Sequence, residues 1–203
     1  MKIIIAPHQT LRTKAISVEK LDKKIIKFVQ ELEKTLKQKE SPKGVGLAAP
    51  QVDKKWRIFV TQLPLDGQDF TRDSDQEKEQ PLQIRHFINP IITKHSQKLI
   101  FGETEGNKEP RLEGCLSIPK IYAPVPRWTW VELKYEIIKG GKLIKKTEKF
   151  TDFMARVIQH ETDHLDGILF TDYALEHDSP IYFENEKTGK LEETTNRGIL
   201  ENL

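Results

Sequence analysis

The chain has 203 residues, with 33 Lys and Arg against 31 Asp and Glu for a formal net charge of +2, and 36% of its residues are hydrophobic. This length supports one domain with a substantial core, and the near-cancellation of charge excludes the strong field that binding to nucleic acid or an anionic membrane draws on. A single cysteine, Cys115, excludes an internal disulfide and agrees with a reducing compartment.

The first residues, Met1 to Ala6, meet Pro7 before a signal-peptide core can form, and no later apolar run approaches membrane-spanning length, so a cytoplasmic protein is expected. Ile3 to Ile5 read as a short strand. From about Ser17 to Lys37, the residues Leu21, Ile25, Ile26, Val29, Leu32 and Leu36 recur at helical spacing, predicting a long amphipathic helix that Ser41, Pro42, Lys43 and Gly44 end. Gly44 to Gln51 is small and almost uncharged, a composition that lets backbone approach a ligand closely. Arg57 to Gln62, with Ile58, Phe59 and Val60, read as a strand.

Asp66 to Gln80 opens on an Asp-Gly turn signal and is charge-dense, with little apolar content to bury; the reading is an exposed loop inserted in the domain. Phe87 to Ile92 give a strand broken at Pro90, Leu99 to Phe101 a shorter one, and Gly102 to Arg111 a polar loop. Trp128 to Ile137 alternate with the period of a strand, Gly140-Gly141 supply a hairpin turn, and Leu143 to Phe150 return as the partner. Tyr173 to Leu203 hold few apolar residues and are expected to pack loosely or to be partly disordered. No internal repeat is present.

The chemistry concentrates just before that tail. Phe153, Met154, Val157, Ile158 and Leu165 form an apolar stripe at helical spacing, with Asp152 as N-cap and Gly167 as stop. His160 and His164 are four apart, so both project from one face and can reach one metal ion, with Glu161 beside them as a carboxylate base. The same nine residues, Gln159 to Gly167, also fit a helix carrying two hydrogen-bonded core histidines, and a bare HExxH match does not decide. A catalytic zinc-type site needs three protein ligands and an open position. Cys115, the sole thiol, is a candidate third ligand, although a lone cysteine is more often a small buried hydrophobe.

Three separated blocks, Gly44 to Gln51 (GVGLAAPQ), Glu113 to Ser117 (EGCLS) and Gln159 to Gly167 (QHETDHLDG), stand in an order and spacing that together resemble the signature motifs of peptide deformylase. The resemblance takes in the N-terminal IIIAPHQTLRTKA and the FINP stretch, and so covers most of residues 1–173. It implies a catalytic domain over 1–173 with the charged insert at about 66–80, and leaves 174–203 as a polar C-terminal tail. The fold it implies is α+β, with antiparallel strands around a central HExxH helix and the long N-terminal helix packed outside.

The resemblance further implies Cys115, His160 and His164 as ligands of one divalent ion per chain, Fe²⁺ natively, with Zn²⁺, Ni²⁺ or Co²⁺ able to take its place. Glu161 is then general base and general acid, and the Gln51 amide with the Leu116 N–H stabilises the oxyanion. Gly46 gives a backbone contact to substrate, while Val45 and Leu47, with Phe153, Val157 and Ile158 on the motif helix, help to line an apolar pocket for a methionine side chain. The implied substrate is the formyl group on the first methionine of nascent chains, released as formate, and such a substrate suits transient ribosome contact. Asp152 and Arg111 depart from the family pattern, standing where a glycine and an apolar pocket residue are common. Arg127 matches a basic position that serves as an ion pair or a substrate contact, and Asp163 lies off the histidine face.

Two other classes fit parts of the pattern. An HExxH metallopeptidase, or an amidase acting on another acyl group, shares the helix but leaves EGCLS without a role. A non-enzymatic metal- or redox-responsive binding protein on a dead deformylase-like fold predicts loss of Glu161 or Gln51, and both are present.

Overall fold

The computed structural model describes residues 1–40, 43–64, 81–102 and 111–200. The charged stretch Asp66 to Gln80 lies outside the described residues, as does most of the polar loop before Arg111. The fold is α+β, with antiparallel sheets and few helices.

The larger sheet has five strands in the order β1 (Gly46–Ala48), β2 (Ile58–Pro64), β3 (Leu82–His95), β8 (Trp130–Lys139) and β9 (Lys142–Thr151). Two helices bury its faces. Helix α1 (Lys23–Lys37) packs Ile25, Phe28, Val29, Leu32 and Leu36 against Leu47, Ile58, Val60 and Ile88. Helix α2 (Asp152–Asp166) packs Met154, Ala155, Val157, Ile158 and Leu165 against Phe59, Phe87, Val131, Leu133 and Phe150. Ile58 and Val60 face one helix and Phe59 the other, which is the two-residue period of a strand buried on both sides.

Helix α1 starts six residues later than the apolar spacing suggests. Asp22 accepts the Ile25 N–H and caps it, while the Asn89 side chain holds both backbone polar groups of Val18 and keeps that residue outside the helix. Strand β3 runs on past Pro90 instead of breaking there. The register slips between Ile88 and Ile91, and Asn89 takes a positive φ of 50°, so a bulge absorbs the proline that a regular ladder excludes. The β8–β9 hairpin turns at Gly140 and Gly141, with φ of 58° and 71°, the pair of positive values a two-residue turn of this hand requires.

The smaller sheet contains β5 (Glu113–Cys115), β6 (Ile118–Ala123), β10 (Ile181–Glu184) and β11 (Leu191–Thr194), in the order β11-β10-β6-β5. A two-stranded pair, β4 (Leu99–Ile100) with β7 (Arg127–Trp128), lies apart from both. Helix α3 (Phe170–Glu176) and the smaller sheet share a third core of Leu11, Ile118, Val125, Phe170, Ile181 and Leu200.

The C-terminal tail is therefore not loosely packed. Ile181 is 1% and Leu200 2% exposed, and β10 adds to β6 by main-chain bonding, which needs backbone groups and only a few apolar anchors. Ile3 to Ile5 form no strand. Instead Ile4 N–H bonds the Gln51 carbonyl and Ala6 N–H the Ser117 carbonyl, both at 2.9 Å, strapping two of the sequence blocks together.

Candidate metal centre and active site

Helix α2 carries both histidines on the side turned from the larger sheet, and β5 brings Cys115 to them. The ring centroids of His160 and His164 are 4.9 Å apart, and the Cys115 Sγ lies 3.2 Å from His164 Nε2. One donor atom from each of Cys115, His160 and His164 falls within 4.8 Å of the others. One sulfur and two nitrogens converging this closely fit a divalent ion that prefers soft and imidazole ligands, with a position to spare.

The electrostatics fit the same ion. Although burial opposes it, His160 is raised well above the usual imidazole range by its bonds to Cys115 and the Glu113 carboxylate. Burial, with the positive charges of His160 and Arg127, drives His164 well below that range. The two imidazoles are thus pushed in opposite directions. A divalent cation held by these three donors would take the sulfur as thiolate and both imidazoles neutral, the forms that bind metal.

A buried polar shell fixes His160. Its Nδ1 lies 3.1 Å from Glu113 Oε2, which leaves Nε2 for the cluster. Glu113 also accepts from Arg127 Nε and Nη2, both at 2.8 Å, and from Arg156 Nη1 at 2.7 Å. Arg127 reaches on to Asp163 at 2.6 Å, and the Tyr173 hydroxyl of α3 donates to the same carboxylate. Two acids and two guanidiniums cancel, as buried charges must. Arg127 is thus an ion-pair residue, 3% exposed. The histidine's carboxylate partner was not legible in the sequence, although Glu113 opens the cysteine block two residues before Cys115.

Glu161 is 3% exposed, and its Oε2 is buried with no hydrogen-bond partner among the described residues. Burial raises its pKa to about 7, with His160 opposing and the Glu113 and Asp163 charges adding to the rise. Gly46 makes room for it: an ideal Cβ on that residue would stand 2.6 Å from Glu161 Cδ. Gln51 sits in a 3₁₀ turn, Ala49–Val52, where its Oε1 accepts the Ala48 N–H at 2.8 Å and its Nε2 is 3.4 Å from Cys115 Sγ and 3.3 Å from Ser117 Oγ. The amide orientation is fixed by that acceptor, so the NH₂ faces the cluster.

A cavity of about 920 Å³ opens on these groups, lined by Val45, Gly46, Leu116, Phe153 and Val157 among others. Its walls include the open edges of both sheets, β1 and β5. Arg111 lays its guanidinium 4.6 Å from the Phe153 ring centroid, so the charged residue in the apolar position covers a pocket wall. Asp152 is not an N-cap. It is the first residue of α2 with φ of 52°, and Thr151 precedes it without a side-chain cap. A left-handed first residue is the reason glycine suits the position, and aspartate tolerates that region better than most.

An HExxH helix, a thiol from an edge strand and a buried glutamate oxygen with no partner among the described residues define a metallohydrolase-type centre. The whole-family comparison narrows the class: residues 1–179 match the model of the polypeptide deformylase family, and the chain belongs to that family. It is 36% identical over 174 residues to peptide deformylase 2 of Nostoc sp., covering 85% of this chain and 84% of that protein. It is 35% identical over 171 residues to the peptide deformylase of Pseudothermotoga lettingae, covering 84% and 81%. Among solved structures, the Plasmodium falciparum peptide deformylase superposes with a TM-score of 0.64 at 29% identity, covering 85% of each chain. The Thermotoga maritima enzyme does so with 0.63 at 28%, covering 85% of this chain and 95% of that one.

Proposed function

We propose that the chain removes the formyl group from the N-terminal formylmethionine of nascent polypeptides, with Cys115, His160 and His164 holding one divalent ion, Fe²⁺ in the cell and Zn²⁺, Ni²⁺ or Co²⁺ as substitutes. The observation that carries this reading is the convergence of one thiol and two imidazoles beside a buried carboxylate oxygen that bonds nothing among the described residues. The ion supplies Lewis acidity, bringing the pKa of a water towards about 7. Glu161 takes the proton of the attacking water and returns it to the departing amine. The Gln51 amide and the Leu116 N–H donate to the oxyanion that develops on the formyl oxygen.

Gly46 offers its main chain to the substrate, and a peptide in extended form can lie along the open edges of β1 and β5. Val45, Phe153 and Val157 receive the methionine side chain. We read both sheets as arranged around α2, with α1 outside and residues 1–173 as the catalytic unit. The site of action is the cytoplasm, beside the ribosome that presents the substrate.

The test is anaerobic incubation of protein loaded with Fe²⁺ or Ni²⁺ with a formylmethionyl tripeptide and its unformylated counterpart. Formate release without peptide-bond cleavage is the expected result. Cleavage of the unformylated peptide would instead make the chain a metallopeptidase.

A further inference from the structure

The family match ends at residue 179, yet the hairpin of β10 and β11 begins two residues later and joins the sheet that carries Cys115. Tyr182 stands opposite Tyr122 on β6, and Tyr122 opposite Gly114 on β5. Residues two apart on a strand share a face, so Glu184 lies on the face of Tyr182, Tyr122 and Gly114. That face borders the active-site cavity: Gly114, Tyr122 and Glu184 line it together with Cys115, His160 and Glu161.

Two contacts fix the arrangement. The Tyr122 ring lies against the backbone of Gly114, where an ideal Cβ would stand 2.7 Å from Tyr122 Cδ1. The Tyr122 hydroxyl donates to Glu184 Oε2 at 3.2 Å. A further tie, the ion pair of Lys120 with Glu186, joins β6 to the same hairpin. Glu184 itself makes no ion pair among the described residues, and its half-buried carboxylate stands in the cavity wall accepting from the Tyr122 hydroxyl. Lys39, Lys43 and Lys120 also line the cavity, and Lys120 is the one tied to Glu186.

We propose that the C-terminal hairpin is part of the substrate site and that Glu184 determines specificity, favouring formyl peptides that carry a Lys or Arg side chain close behind the formylated residue. The inference rests on the deformylase reading above. A partly desolvated anion attracts a cation and repels a second carboxylate, and an exposed-to-half-buried pair of this kind changes affinity by roughly two- to fivefold in each direction.

The experiment compares kcat/KM for two sets of three formylmethionyl tripeptides, with Lys, Ala or Glu as the second residue in one set and as the third in the other, on wild type, Glu184→Gln and Glu184→Lys. The readout is the Lys-to-Glu ratio within each protein, which is independent of the fraction folded. Glutamine keeps an acceptor for the Tyr122 hydroxyl and removes only the charge. The expected ratio is roughly fourfold or more for wild type at one of the two positions, close to one for E184Q and inverted for E184K, with the wild-type preference shrinking as salt is added. An unchanged ratio across the three proteins overturns the assignment, as does a wild-type preference for glutamate, which would show the cavity lysines to dominate. Failure of every formyl peptide to react would instead defeat the deformylase reading, and this inference with it.

Discussion

On the proposed reading, a single carboxylate, Glu161, carries a proton in both directions. Its burial and its pKa of about 7 place it where general acid–base transfer is efficient near neutrality. Glu161→Gln should therefore lower kcat by about 10²–10⁴-fold while the metal content, read by mass spectrometry, stays as in wild type. Loss of metal along with activity would mean that Glu161 acts as a ligand. Glu113 is the opposite case, an acid that never needs to move a proton. Burial pushes its pKa up, but the Arg127 charge, the bonds from Arg127 and His160 and the Arg156 charge hold it well below the usual carboxylate range. A depressed folded-state pKa contributes stability that is present above the unfolded value, near 4.3, and is lost as pH falls through the folded value.

Glu113→Gln should thus destabilise the metal-stripped protein by about 3–5 kcal/mol at pH 7, since Arg127 and Arg156 lose their counter-charge. It should also flatten the fall in stability below about pH 5, measured by urea unfolding across pH. With His160 no longer held by a carboxylate, metal affinity should drop about 10–100-fold. An acid-side slope identical to wild type would show that another carboxylate carries the linkage. The residues of the cluster were legible in the sequence because the chemistry demands a fixed spacing, four along a helix for the histidines. The shell was not legible, because Arg127, Arg156 and Asp163 meet Glu113 only through the packing of β5, β7 and α2.

At the scale of elements, α2 ends where Gly167 takes a φ of 76° and its N–H meets the last carbonyls. An ideal Cβ there would stand 2.8 Å from the Arg12 carbonyl oxygen. Gly167→Ala should therefore cost about 1–2 kcal/mol or more, from the left-handed backbone and the contact together. Thermal unfolding measures it, and an unchanged Tm would mean that the Arg12 turn yields freely. This stop, the turn at Gly140-Gly141 and the stripe of α2 were all readable, since each is written in local sequence. Three features were not. The start of α1 depends on Asn89, 71 residues from Val18. The continuity of β3 depends on a bulge that periodicity does not encode. The left-handed φ of Asp152 belongs to the junction of β9 with α2, where Thr129 accepts its N–H, and local propensity reads such an aspartate as a cap.

At the scale of the molecule, the site is a junction: the larger sheet supplies Gly46, α2 the histidines and Glu161, and the smaller sheet Cys115. Its geometry is only as firm as the seat of the cysteine strand, and the third core supplies part of that seat. Ile181 sits in this core with Ile118, Val125 and Phe170, and Cys115 packs against the same cluster. The tail was expected to pack loosely because its few apolar residues are spread among many polar ones, whereas one buried isoleucine and a run of main-chain bonds suffice to seat a strand. Ile181→Ala should destabilise the chain by about 2–5 kcal/mol, lowering Tm by about 4–20 °C for a domain of this size. The cost arises in a segment beyond the family match, yet it should unfold the whole site at once, because the core it opens also supports the cysteine strand. Metal release followed during heating should therefore coincide with loss of secondary structure in the variant as in wild type. A Tm within about 1 °C of wild type, or unfolding of the hairpin well before metal release, would show that the tail rests on the domain without being part of its cooperative core.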